Sequence, residues 1–305
     1  MRLLTATAAF ALVWLADRTA DACAVCGAAD KALPANGNEV PFSGRKRAIV
    51  EGRGASFATL GRDVSVQEVR AEATSSVALG PSTMVGVSAP LVLRAVTSRG
   101  LTEGATLGAP RADARVERAM PGDVELRAAH TAYRSRPATI ARRLTLGLTL
   151  KLPTAPIDRD ARGAALHPDL QPGCGSIVPW VSATYGWSAA LWSAWSSAGF
   201  LLPASVRDGP HPGASLRASA TLQLQPTTKL ATRLGVHGRW DGAGELDDEV
   251  VKASGGAAVH VAPEIVLSPT TDVVVSLGAS FPAIQAMRGY RSTSPVVLAS
   301  VGLDF

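Results

Sequence analysis

The last nine residues, Val297-Leu298-Ala299-Ser300-Val301-Gly302-Leu303-Asp304-Phe305, alternate with one exception and then stop. Side chains on a β-strand change face at every residue, so Val297, Ala299, Val301, Leu303 and Phe305 share one apolar face. Ser300, Gly302 and Asp304 share the other, with Leu298 the misfit. In a soluble domain terminal residues fray, and an aromatic at the last position gains little there. The ending raises one question for the residues upstream, which is whether they form a closed sheet whose apolar face meets lipid.

The same rhythm runs through the chain. Leu144, Leu146, Leu148, Leu150 and Leu152 fall on one face and Thr145, Gly147, Thr149 and Lys151 on the other. A helix would spread those five leucines around its circumference. In Ser215–Gln225, Leu216, Ala218, Ala220, Leu222 and Leu224 oppose Ser215, Arg217, Ser219, Thr221, Gln223 and Gln225. Alternation of this kind predicts strands near 47–59, 65–79, 83–96, 122–134, 140–153, 176–186, 189–202, 213–226, 228–240, 250–267, 271–282 and 293–305. The count is twelve, an even number as a single-chain bacterial barrel requires. The segment 189–202 alternates least cleanly.

Connection lengths sort by parity. Gly80-Pro81-Ser82, Ser135-Arg136-Pro137, Gly186-Trp187-Ser188, Gln225-Pro226-Thr227 and Ser268-Pro269-Thr270 are tight turns. The intervening links 97–121, 154–175, 203–212, 241–249 and 283–292 are long, and only that around Gly61-Arg62-Asp63 is short. A soluble β-sandwich shows the same alternation but has no reason to sort its loops. Short periplasmic turns and long extracellular loops are the habit of outer-membrane barrels. The expected fold is all-β, a 12-stranded antiparallel up-and-down transmembrane β-barrel in a bacterial outer membrane, with lipid as its first partner. A terminal aromatic such as Phe305 resembles the signal by which the barrel-assembly machinery recognises its clients.

Composition agrees with that architecture. The 305 residues are 47 % apolar but only 5 % aromatic and 18 % charged, and mean hydropathy is +0.16. Apolar residues diluted by alternation give such a value without any run long enough for a spanning helix. Arg2, the apolar run Leu3–Ala16 and Ala20-Asp21-Ala22 read as a signal peptide over 1–22. Residues 23–46 then form a periplasmic N-terminal segment, and 47–305 the barrel. Acylation of Cys23 is a competing reading that Asp21 disfavours. The formal charge of +5 survives cleavage, because Arg2 and Arg18 balance Asp17 and Asp21. No Lys/Arg stripe with interleaved aromatics is present, which argues against a nucleic-acid partner.

Charge on the lipid side at mid-bilayer costs about 2–4 kcal/mol for Arg or Lys. Arg53, Arg70, Arg94, Arg127, Lys151, Arg217, Lys229, Arg233, Arg239 and Lys252 are therefore expected inside, with His237 and His260. Glu51, Glu68, Glu72, Asp123, Glu125, Glu264, Asp272 and Asp304 join them. Two readings stand, a cross-strand ion-pair lattice filling the lumen and a selective pore lining along which a solute passes.

Cys23-Ala24-Val25-Cys26-Gly27 is the sharpest local motif. Haem attachment needs His where Gly27 stands, and a metal centre needs more ligands than Cys23 and Cys26 supply. A Cys23–Cys26 disulfide suits an oxidising compartment, leaving Cys174 as an odd thiol on a loop. No cofactor is expected. Trp180, Trp187, Trp192, Trp195 and Trp240 are notable in a chain poor in aromatics; Trp187 in a tight turn and Trp240 near an outer rim suit interfacial girdles, with an aromatic substrate platform as the alternative. An outer-membrane lipid hydrolase would need a Ser–His pair on the outer face, where His130 is the one histidine placed.

Pro121-Gly122-Asp123-Val124-Glu125-Leu126 ahead of Tyr133, and Leu146-x-Leu148-x-Leu150-x-Leu152-Pro153-Thr154, resemble the outer-membrane barrels of the "MetA-pathway of phenol degradation" transporter-like family. Ala89-Pro90-Leu91, Leu170-Gln171-Pro172-Gly173-x-Gly175-Ser176 and Ser280-Phe281-Pro282 add to it. Ala155 stands where that family usually has Gly, and Cys174 where Thr is usual. The resemblance implies a channel or transporter with no catalytic residues, passing a small hydrophobic or aromatic solute. A non-transporting structural barrel is the remaining alternative.

Overall fold

Twelve antiparallel strands form one continuous sheet in the computed structural model. The residues described are 45–59, 64–98, 115–135, 140–158, 171–173, 175–205, 210–246, 249–251, 254–288, 290–292 and 295–305. The strands are β1 (Lys46–Thr59), β2 (Val64–Ala78), β3 (Thr83–Ser98), β4 (Arg115–Pro121 and Glu125–Ser135) and β5 (Ala141–Lys151). They continue as β6 (Ser176–Ser188), β7 (Trp192–Leu201), β8 (Ser215–Leu224), β9 (Leu230–Asp241), β10 (Gly256–Leu267) and β11 (Val273–Met287). β12 comprises Tyr290–Ser292 and Val296–Asp304. Each strand pairs with its sequence neighbours. β1 also pairs with β12, from Arg47 opposite Asp304 to Gly54 opposite Val297, so the sheet closes.

Which face is buried settles the environment. β8 alternates without a break, with Ser215, Arg217, Ser219, Thr221 and Gln223 buried and the apolar residues between them exposed. The pattern repeats around the ring. Val50, Val69, Leu148, Val181, Leu234 and Leu277 project outward at 51–61 % exposure, while Arg53, Arg70, Glu72, Arg94 and Arg217 point inward at 3–7 %. A soluble protein does not expose a continuous apolar belt and bury its charges. Hydrocarbon demands that order, along with a sheet that leaves no backbone edge unpaired. The barrel therefore spans a membrane. Leu303 and Phe305 lie on its outer face at 46 % and 66 % exposure, and Asp304 turns inward to Arg47.

One end of the barrel carries Arg45, Phe305 and the turns 79–82, 189–191, 225–229 and 268–272; the strand ends at the other flank the longer links. They are called the turn end and the loop end below. Several boundaries differ from the sequence reading. β4 starts at Arg115, inside the expected loop 97–121, because Arg115–Pro121 adds to β3 alone. β10 starts at Gly256 rather than 250; Glu249–Val250 pairs instead with Glu245–Leu246, which also pairs with Pro210–His211, in a small sheet at the loop end. β11 runs on to Met287 rather than ending at 282. Trp187 belongs to β6 and not to the following turn. Asp272 lies in a turn, half exposed and bonded to Arg45, not in the lumen. Residues 1–44, including the expected signal peptide, Cys23 and Cys26, lie outside the described residues, as do Gly61-Arg62-Asp63, Cys174 and Lys252.

Candidate functional site

The period-two rule that sends leucines to lipid sends every second polar residue into the lumen, and a side chain's height there follows from its place along the strand. Mid-barrel and toward the loop end, β1–β5 bring Arg53, Arg70, Arg94, Arg127 and Lys151 together with Glu51, Glu68, Glu72 and Glu125. Glu51 stands opposite Glu72 and Arg53 opposite Arg70, so like charges face across the ladder and opposite charges pair with an offset. Arg53 bonds Glu51, and Arg70 lies 3.9 Å from Glu72. Arg94 grips one Glu68 oxygen through Nη2 at 2.5 Å and Nε at 3.0 Å. Arg127 bridges Glu125 at 2.7 Å and Glu72 at 3.2 Å, and Lys151 reaches Glu125 at 3.7 Å. These charges form a cross-strand network, and Glu51, Glu72, Glu125 and Arg127 of it also line open lumen.

The opposite wall has a different balance. On β9, Arg233, His237 and Arg239 all point inward. Arg239 stands directly opposite Arg217 of β8, and His237 opposite His260 of β10. Asp241 serves both arginines, at 2.8 Å from Arg217 and 3.6 Å from Arg239. Arg233 donates to Gln223 at 2.6 Å and to Glu264 at 3.4 Å. The His260 ring meets Ser280 at 3.3 Å, beside a ladder irregularity where Pro282 supplies no N–H. Gly235 leaves room for His237, whose Nε2 would lie 2.5 Å from a Cβ at that position.

Toward the turn end the lumen opens into a chamber of about 160 Å³, continuous with solvent and lined on one side by Thr145, Thr149, Trp180, Ser182, Trp195 and Ser197 and on the other in part by Glu51, Glu72, Glu125 and Arg127. These two tryptophans are not part of an outer girdle. Both stand on the inward face, and Trp195 is only 7 % exposed. A Cβ at residue 199 would fall 2.1 Å from Trp180 Nε1, so Gly199 is what lets the indole lie along the wall. The Arg233 guanidinium sits 5.7 Å from the Trp195 ring centre, a cation–π contact. The signal was present in the sequence: Trp180 shares parity with Ser182 and Thr184, and Trp195 with Ser193 and Ser197, all polar. Trp192 and Trp240 do face outward, and Tyr185 and Trp187 pack edge to face. A second space of about 80 Å³ adjoins the chamber at Arg47 and Ile49 and is lined in part by Lys229, Arg233, Gln223 and Asp304.

Near the loop end, β4 breaks at Gly122-Asp123-Val124, and the break is locked by residues distant in sequence. Gly122 N–H donates to the Pro90 carbonyl at 2.9 Å, Ala155 N–H to Asp123 Oδ1 at 3.0 Å, and Val124 N–H to Thr154 Oγ1 at 2.9 Å. A Cβ on Gly173 would fall 2.4 Å from Asp123 Oδ1. Gln171 holds the Asp158 backbone from both sides, at 2.8 and 3.0 Å. Asp123 is thus a junction residue at 1 % exposure rather than a free lumen charge.

Two Ser–His contacts and one Thr–His contact occur among the described residues. Ser176 meets His211 at 2.8 Å, but Ser176 is fully buried, which ties a loop to the barrel and denies a substrate access. His130, on the outer face, meets Thr83 rather than a serine. No group of three or more metal-ligating side chains is found among the described residues.

This closed, lipid-facing barrel with a charged lumen has solved counterparts. An outer-membrane channel of the COG4313 group from Pseudomonas putida F1 superposes with a TM-score of 0.67 at 14 % identity, covering 89 % of this chain and 99 % of that one. Looser matches include the transport unit of the autotransporter AIDA-I from Escherichia coli, at 0.48 and 8 % identity, covering 88 % and 91 %. The monoaromatic hydrocarbon channel CymD matches at 0.40 and 10 % identity, covering 87 % and 88 %. At these identities the likeness is one of fold. No protein-family model and no curated protein matches the chain.

Proposed function

We propose that this protein is a channel of the bacterial outer membrane, passing a small hydrophobic or aromatic solute without chemistry. The observation that carries the reading is the turn-end chamber, where two tryptophans and a row of hydroxyls line space large enough for a small aromatic molecule. The turn end then faces the periplasm and the loop end the exterior. Solute passes Arg53, Arg70 and Arg94 before the chamber, whose wall includes Arg127, so that sector sets the rate and the chamber sets the preference. The COG4313 likeness supports a channel of this general kind. The motifs resembling the MetA-pathway family support it too, since Pro90, Gly122-Asp123, Thr154 and Pro172-Gly173 converge on the β4 junction.

The test is reconstitution in planar bilayers and in vesicles. Stepwise ion conductance, with current block on adding a small aromatic solute, is the expected result. Protein that is folded yet gives neither conductance nor solute flux refutes a channel.

A further inference from the structure

We infer that the outer face of β4–β6 at the turn end is a binding site for an anionic phospholipid, its phosphate held by Arg142 and its glycerol region lying against Tyr133, Tyr185 and Trp187. This goes beyond the channel reading and does not depend on conduction. On β5 the even positions face lipid, with Leu146 and Leu148 at 47 % and 51 % exposure. The next two residues on that face, toward the turn, are Leu144 and Arg142. Arg142 is exposed, so a guanidinium stands on the outer wall where the wall leaves the hydrocarbon. The ladder sets its neighbours. Arg142 is directly opposite Trp187 of β6 and Ser135 of β4, and in the next outward row Leu144 lies between Tyr133 and Tyr185. Tyr133 is 48 % exposed, and Tyr185 and Trp187 pack edge to face with ring centres 4.7 Å apart. Outward rings with one polar edge mark the headgroup level of a membrane.

Charge at this end is unevenly distributed. Arg45 is answered by Asp272, and Arg47 by Asp304. Around Arg142 the carboxylates are missing: β5 and β6 contain no Asp or Glu, and β4 has none after Glu125, which stands opposite Lys151 at the far end of the same ladder. Among the described residues Arg142 forms no ion pair. Arg134 and Arg143, directly opposed in the adjacent row, point to the inner side of the rim. They do not reach the outer face, but they add two positive charges within a Debye length of it. His130, on the same outer face, is bonded to Thr83 at 2.9 Å and so has its partner inside the protein. A free anion would answer Arg142 and leave the rings uncovered. A phospholipid does both, since a phosphate accepts two parallel N–H bonds from a guanidinium while the chains run down the wall past Tyr133 and Leu146. A zwitterionic headgroup brings a cation to a rim that already holds three arginines, which favours the net-anionic class.

Native mass spectrometry of the folded barrel in neutral detergent, with phosphatidylglycerol or phosphatidylcholine of the same chains, reads lipid retention directly. Phosphatidylglycerol is expected to be retained at least about fivefold more strongly, as the attraction of one arginine at a membrane surface implies. In Arg142→Gln that ratio should fall below about twofold, and Arg142→Lys should keep part of it. Lys46→Gln removes an exposed charge from the same end on β1 and should leave the ratio unchanged. Equal retention of the two lipids by the wild type overturns the inference. So does a ratio that Arg142→Gln leaves intact, or one that Lys46→Gln lowers equally, which would mean diffuse attraction and no site. Glycerol phosphate, the headgroup without chains, should not displace the lipid at equal concentration; displacement would make this a soluble-anion site and overturns the lipid reading. Should Arg142→Gln fail to fold, as judged by heat-modifiable gel migration, photoreactive phosphatidylglycerol on the wild type decides. Capture on peptides holding Tyr133, Arg142 or Trp187 supports the site, and capture elsewhere overturns it.

Discussion

Removing the Arg94 guanidinium distinguishes a lumen packed with ion pairs from one filled with water. Arg94 and Glu68 are 3 % and 5 % exposed, joined by two hydrogen bonds to one carboxylate oxygen. If the sector around them is dry, Arg94→Met strands a buried carboxylate, and breaking such a pair from one side costs about 3–5 kcal/mol. If water reaches them, the pair behaves like a surface ion pair, worth about 0–1 kcal/mol. The double replacement Arg94→Met/Glu68→Met removes both charges and should recover most of the loss, because a paired apolar substitution is close to neutral. Urea titration of the barrel in thin-bilayer vesicles, followed by tryptophan emission, gives the three stabilities and the coupling between the sites. A loss under about 1 kcal/mol for Arg94→Met would refute the packed-lattice reading of this sector and make it an aqueous pore.

Other perturbations probe the shell, the junction and the loop. Leu148→Arg places a charge on the lipid face of β5, where the leucine is 51 % exposed, and should destabilise the inserted barrel by about 2–4 kcal/mol in the same titration. Gly173→Ala drives a methyl group onto Asp123 Oδ1 and the Ala155 Cβ, at 2.4 and 2.5 Å, so a loss of about 1–3 kcal/mol is expected. Gln171→Ala removes both bonds to the Asp158 backbone, and limited proteolysis should then cut near 152–158 several times faster than in wild type. Gly199→Val pushes the Trp180 indole off the wall and into the chamber, which should reduce single-channel conductance while the far-ultraviolet dichroism stays unchanged.

The strands were legible because their signal is local. Each side chain of Ser215–Leu224 declares its face by parity, and lipid on the outside makes the contrast between Leu216 and Arg217 sharper than any soluble sheet requires. Parity fails beyond the hydrocarbon. Arg115–Pro121 continues β4 past the membrane, where outward residues need not be apolar, so Arg-Val-Glu-Arg-Ala-Met-Pro looks like a loop. The junction was hidden for another reason. Asp123 acquires its role from Ala155 and Gly173, which lie far off in the chain. An aromatic platform is the second reading of the tryptophans, and the parity of Trp180 and Trp195 with neighbouring Ser and Thr is the signal that assigns these two to the inner wall. Among the proposed lumen residues, Arg217 and Arg239 could be placed inside from sequence, but only the register shows them opposed and sharing Asp241.

Ring closure also shapes how the chain can fold. Among β1–β12 every other pairing joins sequence neighbours, but the β1–β12 seam joins Arg47 to Asp304, 257 residues apart. Contacts of that span are slow to form, since the intervening chain must be ordered before they return any stabilisation. Until then β1 and β12 are open edges, each able to recruit a strand from another molecule. Arg47 and Asp304 meet through two bonds of 2.5 and 2.7 Å at the turn end, where the seam would begin to zip. Weakening that clasp should lengthen the unsealed interval and raise aggregation during assembly, with little effect on the sealed barrel.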